Sequence, residues 1–289
     1  MELLIDGKVA YVGTGSREIS STRESVVFVH GAGQNHTIWV LPARHFVRKA
    51  FNVLSIDLPG HGRSAGPCVS SIEQMADWIA EVLRVAGLAR AAVIGHSMGS
   101  LVALATAARH PDRVRSLAMV GVSVPMPVSE ALLVTSAANE HAALEMLTFW
   151  GHSSTAHLGG NPTPGMWMLG CGLRLLEESG DGVVHADLRA CNEYRAGLEH
   201  ATQVKCPTLL ILGERDAMTP VRATHALGGA IPDVETLVFP GSGHALLSER
   251  PGPVLDALMR IVCHRAPVAQ RRCRWLPMPS SRRCFVARV

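Results

Sequence analysis

The stretch VIGHSMGSLVALATAARHP, residues 93–111, decides the reading of this chain. Gly95, Ser97 and Gly99 occupy alternate positions between an apolar, strand-like run at 91–94 and a helix-like run at 101–108. Glycine weakens the interior of either element, so three small residues at this spacing mark a tight strand-to-helix turn. Such a turn pushes the Ser97 hydroxyl out at the carboxyl edge of a sheet. It also leaves the Met98 N–H at the start of a helix, where the helix dipole adds partial positive charge.

The flanking sequence supplies the sheet. Short apolar runs alternate with helical patterns, which predicts a mostly parallel sheet of about eight strands with helices on both faces. The expected strands are 3–5, 9–12, 25–30, 52–57, 91–95, 114–120, 208–213 and 235–240. The first two read as an antiparallel hairpin through Asp6-Gly7. Residues 71–86 read as a helix with a Ser71/Gln74 capping box. Thr219-Pro220 reads as a helix start with Thr as N-cap, and 253–264 as the last helix of the body. The alternation breaks at 124–204, where 129–150 reads as helical and GGNPTPG at 159–165 as a loop. The expected organisation is a core of 1–123 and 205–264, interrupted by a helical cap insertion at 124–204 and followed by a tail, 265–289.

Composition narrows the function classes. Hydrophobic residues make up 47% of the chain and charged residues 18%, enough for a sizeable buried core. The net charge of +3 belongs to the tail, which holds seven arginines and no Asp, Glu or Lys. The remainder carries 20 basic against 24 acidic residues, so no nucleic-acid partner is expected and the tail reads as a poorly ordered end. No apolar run is long enough to span a bilayer, and the opening MELLIDGKVAYVG does not read as a signal peptide. Seven scattered cysteines without C-x-x-C pairs suit reduced thiols, and the expected location is cytoplasmic.

Three further segments carry chemistry. VVFVHGAGQNHTIW at 26–39 ends a strand in a glycine-rich loop, whose Ala32 N–H would join that of Met98 as a pair of donors to a developing oxyanion. There His30 is expected to orient the loop without transferring a proton. LLILGERDAMTP at 209–220 places Asp216 just after a buried strand, and VFPGSGHALLSERP at 238–251 places His244 in another strand-end turn. A serine hydroxyl needs a base, which His244 would supply, with Asp216 fixing the imidazole tautomer. The nearest rival carboxylate after the strand at 114–120 is Glu130. Asp57, in DLPGHGRS at 57–64, reads as a loop organiser. His61 and His96 sit in separate turns without a ligand set around them, so no metal is expected. His141, His152, His157 and His185 read as surface or structural. Met126, Met146, Phe149, Trp150, Met166, Trp167 and Met168 either roof an apolar pocket or pack the cap on the core.

Together HGAG with Trp39, DLPGHGRS, GHSMGS, GERDAMTP and GSGHALLSERP resemble the α/β-hydrolase superfamily over about residues 1–264, weakly across the insertion. The resemblance implies the α/β-hydrolase fold, a Ser97–Asp216–His244 triad, Ala32 and Met98 as oxyanion donors, and no metal or organic cofactor. Ser100 departs from the Gly-Gly that often ends the family's elbow, but it is compact too. The implied reaction is cofactor-independent hydrolysis of a carboxylic ester or related small-molecule acyl substrate through an acyl-enzyme. C–C bond hydrolysis, lactonase, thioesterase or haloperoxidase chemistry stays open, as does a ligand receptor that keeps a hydrolase pocket. Dehalogenases and epoxide hydrolases normally use Asp where Ser97 stands.

Overall fold

The computed structural model describes residues 1–160 and 165–263. The expected tail and the middle of the 159–165 loop lie outside these residues. Eight strands form one sheet in the order β1-β2-β4-β3-β5-β6-β7-β8. They are β1 Glu2–Ile5, β2 Lys8–Gly13, β3 Ser25–Val29, β4 Asn52–Ile56, β5 Ala91–His96, β6 Val114–Val120, β7 Thr208–Gly213 and β8 Val234–Phe239. β1 and β2 pair antiparallel through the Asp6-Gly7 turn, and β2 runs antiparallel to β4. Every other pairing is parallel. All eight expected strands form, with ends within one residue of those expected. β3, β4, β5 and β7 are buried along their whole length. Helices cover both faces, so these strands read as mainly apolar runs.

The core helices are α1 Val40–Arg48, α2 Ile72–Val85 and α3 Met98–Arg109, then α10 to α12 after β7. Ser71 caps α2 by accepting from Gln74 N–H and donates its hydroxyl to Glu73, but among the described residues no bond from Ser71 N–H to the Gln74 side chain completes the box. α3 is buried from Met98 to Ala108, because α2, β5, β6 and the later helix at Gly197–Gln203 surround it. Apolar side chains fill both sides of the sheet, with Val27, Leu54 and Val93 on one side and Phe28, Trp39 and Ile94 on the other.

Between β6 and β7 the chain runs through α4 Glu130–Ala137, α5 His141–Gly151, α6 Ser154–His157, α7 Met168–Glu177, α8 Val183–Glu193 and α9 Gly197–Gln203. The single helical piece expected at 129–150 is thus two helices. Asn139 adopts φ 52 between them, a left-handed conformation that asparagine tolerates and that ends a helix. Leu132, Leu147, Leu176, Val184 and Leu188 form a small apolar cluster here, and Ala32 and Met218 of the core pack against it.

After β7, a short 3₁₀ turn Val221–Thr224 leads into α10 His225–Ala230. It starts beyond Pro220, and Thr219 does not cap it. The chain closes with α11 Leu246–Glu249 and α12 Pro251–Cys263, two residues earlier than the expected start at 253. Among the described residues no helix is long and apolar enough to cross a membrane.

Candidate active site

The turn between β5 and α3 is as tight as the glycines suggest. Ser97 sits at φ 54, ψ −121, a strained conformation for a residue with a side chain. A Cβ on Gly95 would lie 2.0 Å from Gly99 O, and one on Gly99 would lie 2.3 Å from Val29 O. Both contacts are with backbone, so neither position admits even alanine without moving the chain. Ser97 N–H donates to Val120 O at 2.9 Å, which fixes the turn on the neighbouring strand. Ser100 is accommodated because its buried hydroxyl donates to Gly95 O at 2.9 Å and accepts from Val120 N–H at 3.1 Å.

The loop after β3 crosses in front of this turn. His30 is fully buried, its Nε2 accepts Leu58 N–H at 3.1 Å, and its Nδ1–H donates to Gly31 O at 2.8 Å. Burial, with His61 beside it, pushes the His30 pKa down to about 4, so the ring is a neutral brace. Gly31 N–H donates to Gln34 Oε1 at 3.1 Å and Gly33 N–H to Asp187 Oδ2 at 2.8 Å. The Ala32 N–H between them donates to no other described group. Met98 N–H, first in α3, has no acceptor within its helix.

Asp216 and His244 meet behind Ser97. Asp216, 4% exposed, accepts four hydrogen bonds: Met218 N–H (2.8 Å) and Thr219 N–H (2.7 Å) on Oδ1, Thr219 Oγ1 (2.7 Å) and His244 Nδ1 (2.8 Å) on Oδ2. Burial pushes the carboxyl upward, but His244 and the Thr219 donors outweigh it and hold the pKa at about 2. Thr219 is therefore a site residue that the sequence disguised as a helix cap. Gly121, at φ +62, leaves room for the imidazole, since a Cβ there would lie 2.9 Å from His244 Cε1. Glu249 braces the His244 turn from below by accepting Gly243 N–H at 3.2 Å and Ser153 N–H at 3.1 Å.

Ser97 and His244 line one cavity of about 280 Å³. His244 Nε2 is buried and has no hydrogen-bond partner, so the serine and the imidazole share the cavity without being bonded to each other. Hydrogen bonds of this kind often tighten only when substrate is bound. The cavity lies between the carboxyl end of the sheet and α4, α5, α7 and α8. Its walls include Met126, Leu132, Leu147, Trp150, Leu176 and Met218, and no Asp, Glu, Lys or Arg lines it among the described residues.

Asp57 and His61 lie off the cavity, whereas His96 lines it beside His244. Asp57 accepts His36 N–H at 2.7 Å and Arg63 N–H at 3.0 Å, organising its turn. His96 is buried and neutral, its pKa pushed to about 3 by burial and by His244, and its Nε2 contacts His244 O at 3.1 Å. His61 pairs with Asp187. His152, expected to be surface or structural, instead lines the cavity, with its Nδ1 on Thr148 O at 2.8 Å. Of the apolar residues weighed as a roof, Met126 and Trp150 line the cavity, whereas Met168 is buried elsewhere and Trp167 is exposed. Among the described residues no group of three or more His, Cys, Asp or Glu is arranged to hold a metal ion.

Comparisons with known proteins agree with this fold. The chain is 31% identical over 235 residues to the pimeloyl-[acyl-carrier protein] methyl ester esterase of Chromobacterium violaceum, covering 76% of this chain and 87% of that protein. The enol-lactonase of Burkholderia xenovorans superposes with a TM-score of 0.79 at 20% identity, over 91% of this chain and 100% of the other. An esterase of Exiguobacterium antarcticum does so with a TM-score of 0.78 at 18% identity, over 91% and 98%. A family model described as the alpha/beta hydrolase fold matches residues 24–251. With the strand order, the elbow and these likenesses in hand, the chain belongs to the α/β-hydrolase fold family.

Proposed function

We propose that this hydrolase is a serine esterase for uncharged, small to medium carboxylic esters, with α4–α9 acting as a cap over the site. The observation that carries the reading is the Asp216–His244 pair, with a free Nε2, on the same cavity as Ser97. In the reaction Ser97 Oγ attacks the ester carbonyl carbon while His244 Nε2 takes the hydroxyl proton. Asp216 keeps Nδ1 protonated and stabilises the imidazolium. The carbonyl oxygen becomes an oxyanion between the Ala32 and Met98 N–H groups. When the C–O bond breaks, His244 returns the proton to the leaving alcohol. His244 then takes a proton from water, the resulting hydroxide attacks the acyl-enzyme, and the carboxylic acid leaves as Ser97 recovers its proton. The ester activity named for the Chromobacterium relative supports the bond type.

The walls support the substrate class. A free carboxylate or ammonium on the substrate would be desolvated against Leu, Met and Trp with no opposite charge to pair with, which is strongly unfavourable. The test compares p-nitrophenyl butyrate with a p-nitrophenyl ester bearing a free carboxylate. The wild type should release many equivalents of product from the neutral ester and discriminate against the charged one. Ser97→Ala should lose at least about 10³-fold in kcat. Release of one equivalent only, or full activity of Ser97→Ala, would overturn the reading.

A further inference from the structure

Three segments far apart in sequence meet at one buried carboxylate. Asp187, on α8, accepts Gly33 N–H and contacts His61 Nε2 through the same oxygen, Oδ2, at 2.8 Å each. Its other oxygen, Oδ1, is buried without a hydrogen-bond partner. His61, 3% exposed on the turn after β4, presents its second nitrogen to Pro59 O at 3.1 Å. Both ring nitrogens thus face acceptors, and only the imidazolium can donate to both. A buried carboxylate with an unsatisfied oxygen also needs an opposite charge beside it.

This pair touches the loop that carries an oxyanion donor. A planar peptide points its N–H away from its C=O, so the Ala32 N–H is aimed by whatever holds Gly31 O. His30 Nδ1 at 2.8 Å and Gln34 N–H at 3.2 Å hold it. The next peptide along is held by Gly33 N–H on Asp187. Gly33 lies at φ +66, and a Cβ there would strike Val184 of α8 at 2.7 Å, so α8 rests directly on the loop.

We propose that Asp187 and His61 are positioning residues that hold loop 31–33, and so make the aim of the Ala32 N–H depend on the seating of α8 and on the charge of His61. The proposal rests on the serine-esterase reading. Burial alone would lower the His61 pKa, but Asp187 outweighs burial and raises it above the ordinary histidine value. The other groups facing the pair stay neutral or are already paired. His30, with rings 4.8 Å apart, is neutral, the Cys68 thiol is pushed up to about 11 and Cys191 higher still by burial, and Asp57 is bound to His36 and Arg63. A raised histidine pKa means that the restraint is complete at low pH and is lost as pH rises through the folded value. Activity should therefore have an alkaline limb set by His61.

The test uses the full chain, p-nitrophenyl butyrate as probe ester and a fluorophosphonate as a probe of the serine, from about pH 5 to pH 10. Asp187→Asn keeps an acceptor for Gly33 N–H but removes the charge that holds His61 protonated. Its kcat should fall about tenfold, less than the ~10²–10³-fold of deleting a donor outright, with KM within about twofold. Its alkaline limb should move to lower pH, which a merely structural defect would not do. His61→Gln, uncharged at every pH, should lose that limb altogether, and it decides the matter if Asp187→Asn fails to fold. Folded variants with wild-type kcat and an unmoved alkaline limb would overturn the proposal, as would a wild type with no such limb. A wild type that neither turns over the ester nor labels would overturn the esterase reading, and the proposal with it.

Discussion

Replacing Thr219 by valine tests whether the hydroxyl that the sequence disguised as a helix cap belongs to the catalytic machinery. Valine keeps the shape and deletes one of the four donors on the Asp216 carboxylate, the 2.7 Å bond from Oγ1 to Oδ2. Asp216 is almost wholly buried, so water cannot replace the lost donor. A hydrogen bond to a charged group contributes about 1.5–3 kcal/mol. At roughly 2 °C per kcal/mol for a chain of this size, the melting temperature should fall by about 3–6 °C. The same hydroxyl lies 3.2 Å from His244 Nδ1, so the imidazole loses a lateral restraint as well. We therefore expect kcat for a neutral p-nitrophenyl ester to drop by about tenfold, equivalent to ~1.4 kcal/mol, with KM little changed. Thr219→Ser should restore both quantities. Differential scanning calorimetry and steady-state kinetics read the two effects separately. A Thr219→Val protein that melts within 1 °C of the wild type and turns over at the wild-type rate would refute the assignment of the hydroxyl to the Asp216 network.

Other outcomes follow from the same geometry. Gly99→Ala places a methyl 2.3 Å from Val29 O and 2.4 Å from His30 O, so it should abolish fluorophosphonate labelling and lower the yield of folded protein; an unchanged melting temperature would contradict the close approach. His30 and His96 stay neutral when folded down to about pH 4 and about pH 3, against an ordinary value of 6.5. Because the unfolded chain binds these protons first, each should lower stability by about 1.6 kcal/mol between pH 6.5 and pH 5. A urea midpoint at pH 5 equal to or above that at pH 7 would contradict their buried, neutral state.

The legible parts of the molecule share a physical cause. β3, β5 and β7 are covered on both faces, so their sequences are mainly apolar runs ending in glycine-bearing turns, and these strands could be read with ends within one residue. Ser97 and Asp216 follow the ends of such strands and His244 follows β8, whose last residue is buried, so the proposed triad could be picked out from strand-end spacing. What the sequence hid depends on contacts across the fold. Asp187 lies on an ordinary amphipathic helix, and its partner His61 is 126 positions away, so nothing nearby in the chain marks it. Thr219 misled because Thr-Pro is a strong helix-start signal, and only the approach of Asp216 shows where the hydroxyl goes. The break between α4 and α5 has no Gly or Pro to announce it, only Asn139 in a left-handed conformation. His152 read as surface or structural because its place on the cavity wall comes from packing across the fold.

The most direct measurement is fluorophosphonate labelling of the full chain, followed by mass-spectrometric mapping of the adduct. Phosphonylation should fall on Ser97 alone, vanish in Ser97→Ala, and slow by at least about 10³-fold in a folded His244→Ala protein. An adduct on another residue, or undiminished labelling after either substitution, would contradict the claim that the hydroxyl at 97 is activated by the imidazole at 244.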